Sequence, residues 1–327
     1  METIQQILPA IQAQALRRTF ASRRGEVEAV AGIDLVVATG AIFGFLGPNG
    51  AGKTTTLRML ATLLPPTSGE ATVVGADLRH EPRKVRQRIG YVGQQGGADH
   101  SISGRSELAF QGLLYGMSRP DALRRATELL AAFELDACAD RRTETYSGGQ
   151  RRRLDVALGL VHRPSLLFLD EPTTGLDPQS RARMWEEVRR LRAQGTTVFL
   201  TTHYLEEADA LCDRLAIVDR GRIVSEGSPE ELKREVAGDV VTLVVDGDRE
   251  AAARLLRGQR FVRGQEPLDA DADSLRVYVD HGRTAMPMIF RVLEGGGMAV
   301  RAISMSRPSL DDVFLRRTGR SLRDEAA

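Results

Sequence analysis

Gly47-Pro48-Asn49-Gly50-Ala51-Gly52-Lys53-Thr54 is the stretch that decides the fold. It matches the G-x-x-x-x-G-K-[ST] phosphate loop. Directly before it runs Ala41-Ile42-Phe43-Gly44-Phe45-Leu46, a continuous apolar segment suited to a buried strand, and a helix is expected to start near Lys53. Strand, glycine-rich turn and helix in that order let backbone N–H groups wrap an anion at the positive end of the helix. Lys53 would reach the β- and γ-phosphates, and Thr54 would place its hydroxyl on Mg²⁺. A chance glycine-rich turn is the plain alternative, and the intact Gly-Lys-Thr between strand and helix argues against it.

Working outward, the apolar run Leu166-Leu167-Phe168-Leu169 ends in Asp170-Glu171. Two adjacent carboxylates after a buried strand are costly unless an ion or ligand uses them. Asp170 is expected to bind Mg²⁺, directly or through water. Glu171 is the candidate general base for the attacking water. His203 follows the apolar run 197–201. A lone histidine is more often structural, but here it ends the neighbouring strand, within reach of a γ-phosphate. Gln94 leaves the strand Ile89-Gly90-Tyr91-Val92-Gly93 on the same edge, and its amide can ligate Mg²⁺ or orient water. Gln95 is its rival, and Gln94 is preferred.

Tyr146-Ser147-Gly148-Gly149-Gln150 opens another helix whose serine and glycine amides offer a second anion-binding terminus. One γ-phosphate hardly needs two such caps from a single chain. The motif is therefore expected to close on the nucleotide of a second copy. The run Arg151-Arg152-Arg153 after it reads as a solvated helix face rather than a nucleic-acid patch.

Composition narrows the class. The chain has 327 residues, 42% hydrophobic, with 45 Lys+Arg against 44 Asp+Glu, so its net charge of +1 carries no global basic field for nucleic acid. Cys138 and Cys212 form neither a metal spacing nor a disulfide framework and read as free thiols in a reducing cytosol. The N-terminus lacks a secretory pattern, and no stretch approaches the ~18 uncharged apolar residues of a membrane span. Any membrane role would go through a partner.

Residues 1–14 read as a loose tail and 15–37 as antiparallel strands. Residues 71–74 and 89–92 read as strands, and helical spacing takes over across about 100–165. Strand 166–169, an amphipathic helix over 178–193 and strand 197–200 predict parallel pairing in an α/β core. Residues 215–218 and 223–226 read as a hairpin. The grammar then resets: strand 240–245, helix 249–257, strand 275–279, helix 284–293, strand 298–305. That is a small α+β unit of roughly ferredoxin-like order over 237–316, with a helical turn or two from Leu310 and a frayed tail over 317–327.

The ordered series of motifs resembles the ATP-binding subunit of an ABC transporter. The resemblance covers about residues 15–235. Walker A is then residues 47–54, with Thr55 beside it in the nucleotide site, and the Q-loop is Gln94. The signature is residues 146–150, beginning with Tyr146 where the family usually has Leu. Walker B is residues 166–170 with Glu171, the D-loop is Gly175-Leu176-Asp177-Pro178, and the H-loop is His203. By the same resemblance Phe20 stacks on adenine, where Tyr is frequent; an aromatic in a β-rich region could equally be core. Gly93-Gln94-Gln95-Gly96-Gly97-Ala98-Asp99 and the ending Ser309-Leu310-Asp311-Asp312-Val313-Phe314-Leu315 are similar to daunorubicin-resistance-type exporter ATPases.

The expected fold is an α/β P-loop NTPase: a nucleotide-binding domain over 15–236 with an antiparallel β subdomain and a helical insert, plus the small C-terminal α+β domain. The resemblance implies ATP and Mg²⁺, a head-to-tail homodimer, a separate membrane permease and a place on the cytoplasmic face of the bacterial membrane. Coupling to the permease is expected around residues 94–116. The rival is an ABC ATPase acting on nucleic acid or ribosomes, which usually carries paired ATPase domains, long coiled coils or zinc sites; none is present in the sequence. A non-catalytic nucleotide sensor conflicts with intact Lys53, Asp170, Glu171 and His203.

Overall fold

The alternation Ile11-Gln12-Ala13-Gln14 puts apolar side chains on one face, and it begins the first strand of the computed structural model, which describes residues 8–22, 25–236, 238–267 and 274–319. β1 (Ile11–Ser22) pairs antiparallel with β2 (Gly25–Val37), Ile11 opposite Val37. Ile11 is fully buried, so the strand begins inside the segment read as a tail; the first seven residues lie outside the described ones. Next come β3 (Ile42–Leu46), α1 (Lys53–Leu60), β4 (Ser68–Val73) and the short β5 (Ala76–Asp77). β4 joins the other side of β1, and the four-stranded antiparallel sheet runs β2-β1-β4-β5.

α2 (Pro82–Arg88) and β6 (Ile89–Val92) lead into the helical region of α3 (Gly104–Leu114), α4 (Arg119–Ala132) and α5 (Gly148–Gly159). Each of these three helices starts on a serine, Ser103, Ser118 or Ser147, whose side chain accepts a hydrogen bond from the first turn. β7 (Leu166–Asp170), α6 (Pro178–Ala193), β8 (Thr197–Thr202), α7 (Leu205–Leu211), β9 (Arg214–Asp219) and β10 (Arg222–Gly227) complete this part. The second sheet has the order β10-β9-β3-β8-β7-β6, and β9, β3, β8, β7 and β6 are successively parallel. Every residue of β3, β7 and β8 is buried, as continuous apolar strands covered on both faces should be. Phe43, Phe45 and Phe168 all pack on Phe199, with ring centroids 4.9–5.8 Å away. Parallel strands bring their C-terminal ends to one edge, so the loops after β3, β6, β7 and β8 meet there.

The chain divides into two compact units, Met1–Glu226 and Gly227–Ala327. The division falls before α8 (Pro229–Glu235), where the sequence reading places the reset after it. The reason lies in α11 (Leu310–Thr318): Arg317 pairs with Glu235, and Arg316 donates to the Glu235 carbonyl at 3.0 Å, so α8 is held within the second unit. Between these helices lie β11 (Asp239–Val245), α9 (Arg249–Leu256), β12 (Val262–Pro267), β13 (Ser274–Val279), α10 (Gly282–Gly295) and β14 (Val300–Ser306), with antiparallel sheet order β12-β13-β11-β14. This is a βαββαβ unit in the ferredoxin-like strand order. Val241, Leu243 and Val245 at spacing two meet Ala285, Ile289 and Leu293 at spacing four in one core. β12 has no counterpart in the sequence reading, because Val262-Arg263-Gly264-Gln265 shows no alternation.

Candidate active site

The phosphate loop follows β3 and takes its shape from close backbone contacts. A Cβ on Gly47 would stand 2.2 Å from the Val218 carbonyl oxygen, and one on Gly52 2.4 Å from that of Ala29. Gly52 also sits at φ +98°. Glycine is thus required by packing against β9 and β2. Pro48 and Ala51 are buried, while Asn49 and Gly50 face solvent at the loop's tip. Lys53 is only 4% exposed, and its Nζ donates to the carbonyls of Gly47 at 2.7 Å and Pro48 at 2.9 Å. Burial pushes its amine below the ordinary lysine value, while Glu171 and Asp170 oppose that shift. Thr54 and Thr55 are half-buried in the first turn of α1.

Three elements converge on Asp170 at the end of β7. Its Oδ1 accepts hydrogen bonds from Thr54 at 2.8 Å and Thr201 at 2.7 Å. Its Oδ2 is buried without a hydrogen-bond partner. An unpartnered buried carboxylate oxygen beside a threonine hydroxyl is a hard-oxygen donor set that fits Mg²⁺.

Glu171 is 7% exposed and has left-handed backbone, φ +46°. That conformation costs a non-glycine residue about 1–3 kcal/mol and persists only where surroundings fix it. Its N–H donates to the Thr201 carbonyl and to Thr201 Oγ1, each at 3.1 Å. Gln94 Nε2 donates to Glu171 Oε2 at 3.0 Å, and Thr174 Oγ1 to the same oxygen at 3.2 Å. His203 Nδ1 lies 3.3 Å from Oε1, and Lys53 Nζ 3.9 Å. His203 chiefly, then Lys53 and Thr174, hold this carboxyl below its ordinary value against the opposing effect of burial. Gln94, Lys53, Thr54, Asp170, Glu171 and His203 therefore form one cluster. Thr201 and Thr174 belong to it as well; sequence reading missed them, although Thr201 is the last residue but one of β8, at the same edge.

Arg152 overturns one reading. The expected solvated Arg151–Arg153 face does not hold at its centre, because Arg152 is 8% exposed and points inward. Its Nε donates to the Pro172 carbonyl at 2.9 Å and its Nη1 to that of Gly93 at 2.6 Å. Its Nη2 reaches the carbonyls of Asp170 at 3.0 Å and Glu171 at 3.3 Å. Backbone carbonyls at the ends of β6 and β7 offer more than water would to a planar guanidinium, so the side chain turns in.

Ser147, Gly148, Gly149 and Gln150 form a separate place. Ser147 Oγ accepts from the Gln150 N–H at 3.2 Å, and Gln150 Oε1 accepts from the Ser147 N–H at 2.9 Å, closing a capping box on α5. Ser147 and Gly148 are exposed, and a Cβ on Gly148 would meet nothing within 4 Å. Asp177 caps α6, accepting from the N–H of Gln179 and Ser180. A small cavity of about 150 Å³ lies between the two helix starts, lined by Ser147, Gly149, Gln150, Arg153, Ser180 and Arg183. Phe20 is half-buried on β1 under the Arg18 guanidinium, 4.6 Å from its ring centroid. Beside α3 a groove of about 380 Å³ is lined by Leu63, Tyr91, Glu107, Gln111, Tyr115 and Asp155, among others, with Phe110, Leu113 and Leu114 exposed on the same helix.

An ABC transporter profile matches residues 30–174, and the profile of the C-terminal domain of DrrA1-3-like ATP-binding proteins matches residues 227–318. The daunorubicin resistance ATP-binding protein DrrA2 of Streptomyces coeruleorubidus is 46% identical over 95% of this chain and 95% of its own. The chain belongs to the DrrA-like ATP-binding proteins of ABC transporters. It is an ATPase. The Nod factor export ATP-binding protein I of Rhizobium sp. is 39% identical over 96% of this chain and 98% of its own. Among solved structures, a dimeric bacterial ABC transporter cassette, MJ0796, superposes with TM-score 0.62 at 25% identity, over 67% of this chain and 98% of that one. In this DrrA-like protein no helix among the described residues is long and apolar enough to cross a membrane.

Proposed function

We propose that this ATPase works as a head-to-tail homodimer on the cytoplasmic face of a bacterial membrane and drives efflux of a hydrophobic compound through a separate permease. The observation that carries the catalytic part is the Glu171 carboxylate, kept ionised beside His203, Gln94 and Lys53. Lys53 would leave its loop carbonyls for the β- and γ-phosphates. Thr54 and Asp170, with Gln94 near, would hold Mg²⁺, which when bound neutralises phosphate charge. Glu171 takes the proton of the water that attacks the γ-phosphorus while the bond to the β–γ bridging oxygen breaks, releasing ADP and phosphate. His203, at the end of the adjacent strand, holds that carboxylate and faces the phosphate. Phe20 would stack on the adenine.

The dimer is supported by the second helix start. Ser147 and Gly148 present an open, capped N-terminus that joins none of the six clustered residues by a hydrogen bond or ion pair among the described residues, so its anion would come from a partner copy. Asp177 beside it would approach the same shared nucleotide. The groove beside α3, lined by Leu63, Gln111 and Tyr115, together with Phe110, Leu113 and Leu114 exposed elsewhere on that helix, suits an amphipathic helix of the permease. Relatives named for daunorubicin resistance and for Nod factor export support export as the direction and leave the cargo open.

The test is affinity purification of tagged Glu171→Gln protein from its native membrane in detergent with Mg-ATP, followed by mass spectrometry. A stoichiometric polytopic protein is the expected companion. Recovery of ribosomes or nucleic acid instead would overturn the membrane assignment.

A further inference from the structure

Arg152 has a companion one turn along α5. Asp155 is 7% exposed, and its Oδ1 accepts from the Gly97 N–H at 3.0 Å. A Cβ on Gly96 would stand 2.5 Å from Asp155 Oδ2, and Gly96 has φ +75°, so the loop is folded tightly onto this carboxylate. The two residues sit at i and i+3 on one helix face. Arg152 grips the carbonyl just before Gln94, and Asp155 grips the amide just after Gly96. Gln94 is therefore suspended between two anchors on the helix that begins with Ser147 and Gly148. The same guanidinium also holds the carbonyls of Asp170, Glu171 and Pro172.

We propose that Arg152 and Asp155 are positioning residues that tie the geometry of Gln94 and Glu171 to the placement of α5. This rests on the catalytic roles proposed above for Gln94 and Glu171. Both side chains act on backbone groups and lie outside the cluster proposed to meet the nucleotide. Arg152 fixes the Glu171 peptide from its carbonyl side while Thr201 fixes it from its N–H side, which is how a left-handed non-glycine residue is kept in place. Asp155 also lines the groove beside α3, so whatever seats there bears on the loop that carries Gln94. A guanidinium that only satisfied buried carbonyls would, when replaced, lower Tm and activity together. One that aims two reacting groups lowers kcat beyond any loss of stability.

The experiment uses the full-length chain, with kcat, KM, ATP Kd and Tm measured together. Arg152→Lys retains charge but loses the planar fork; kcat should fall on the order of 10–100-fold, as displacement of a reacting group does. ATP Kd should stay within about twofold, since the phosphate loop is untouched. Asp155→Asn keeps an acceptor and should retain most turnover, while Asp155→Leu should lose it. Placed on Gln94→Ala, Arg152→Lys should cost less than it does alone, because part of its effect runs through Gln94.

Arg152→Met guards against an uninformative lysine. Unchanged kcat in both Arg152 variants overturns the proposal. So does a loss of kcat matched by equal losses in Kd and Tm, which is plain destabilisation. Fully multiplicative effects of Arg152→Lys and Gln94→Ala also overturn it. Glu171→Gln is measured alongside. If it turns over normally, the catalytic reading has failed; if it is inactive while the Arg152 variants are normal, only the positioning inference has.

Discussion

Two helix starts in this chain are built from glycine with serine or threonine, yet they differ in what surrounds them. The start of α1 is enclosed: Lys53 is buried, Thr54 meets Asp170, and Glu171 sits 3.9 Å from the lysine. The start of α5 is open. Its serine and glutamine satisfy each other, and nothing crowds Gly148. The first is a site with Lys53, Asp170 and Glu171 assembled; the second is a donor surface that joins none of those three by a hydrogen bond or ion pair among the described residues. Anion affinity at a helix terminus comes with the backbone, but chemistry requires the side chains other strands deliver. In the proposed dimer, the second start contributes when another copy supplies the rest.

The sharpest way to break that contrast is to disarm the enclosed site without changing its shape. Glu171→Gln should lower kcat by about 10²–10⁴, the usual worth of a positioned general base, with ATP affinity retained. Phosphate release and equilibrium binding read the two separately, and the ATP-bound variant should accumulate as a dimer on a sizing column. Near-normal turnover would remove Glu171 from the mechanism.

The open site is broken by charge. Gly148→Asp places a carboxylate where a partner's γ-phosphate would arrive, in space the chain itself leaves empty. Acid in the first turn of a helix is compatible with folding. Turnover should fall at least about tenfold through lost closure. ATP binding by the separate chain and its Tm should be unchanged, and the ATP-dependent dimer absent. Reduced ATP affinity in the monomer would mean that α5 already serves its own chain's nucleotide.

Asp170→Asn sharpens the metal half. The amide oxygen can keep the hydrogen bonds from Thr54 and Thr201, while the NH₂ replaces the unpartnered Oδ2. The Mg²⁺ concentration for half-maximal ATPase should rise by about tenfold or more. An unchanged requirement would place the cation elsewhere.

These sites were unequally legible. The enclosed one was written in contiguous form: apolar strand, glycine loop, lysine, and later a strand ending in two acids. Those patterns survive because each is local and β3, β7 and β8 are buried on both faces. Thr201 was invisible because its role depends on which strands are neighbours, and Thr174 because a side-chain contact within one turn leaves no periodic pattern. Arg152 was misread because a run of three arginines carries no hydrophobic period; only the carbonyls of Gly93, Asp170, Glu171 and Pro172, distant in sequence, draw its middle member inward. The early start of β1 was present as alternation at Ile11 and Ala13, obscured by Gln12 and Gln14 beside them. In the second unit the strands with period two were readable, and β12 was not, because Arg263-Gly264-Gln265 has no apolar face.

The smallest effect separates the two regions by what lies behind them. Behind the enclosed site Glu207 is completely buried, with Thr173 Oγ1 donating at 2.8 Å and Trp185 Nε1 at 3.2 Å. Burial raises its carboxyl above 4.5, and Thr202, Thr173 and Trp185 oppose the shift only in part. A raised folded value means that the native state holds its proton where the unfolded chain has released it. The stabilising contribution is thus full below 4.5 and is lost as pH rises through the folded value. Glu207→Gln mimics the protonated form and removes that dependence. Its Tm relative to wild type should climb with pH across this window, by about 2–4 °C for each kcal/mol recovered. Thermal denaturation at several pH values reads the slope. A variant that instead loses stability as pH rises would show that the ionised carboxylate holds Thr173 and Thr202 in place, so that the enclosed site would need a buried charge behind it as well as one within.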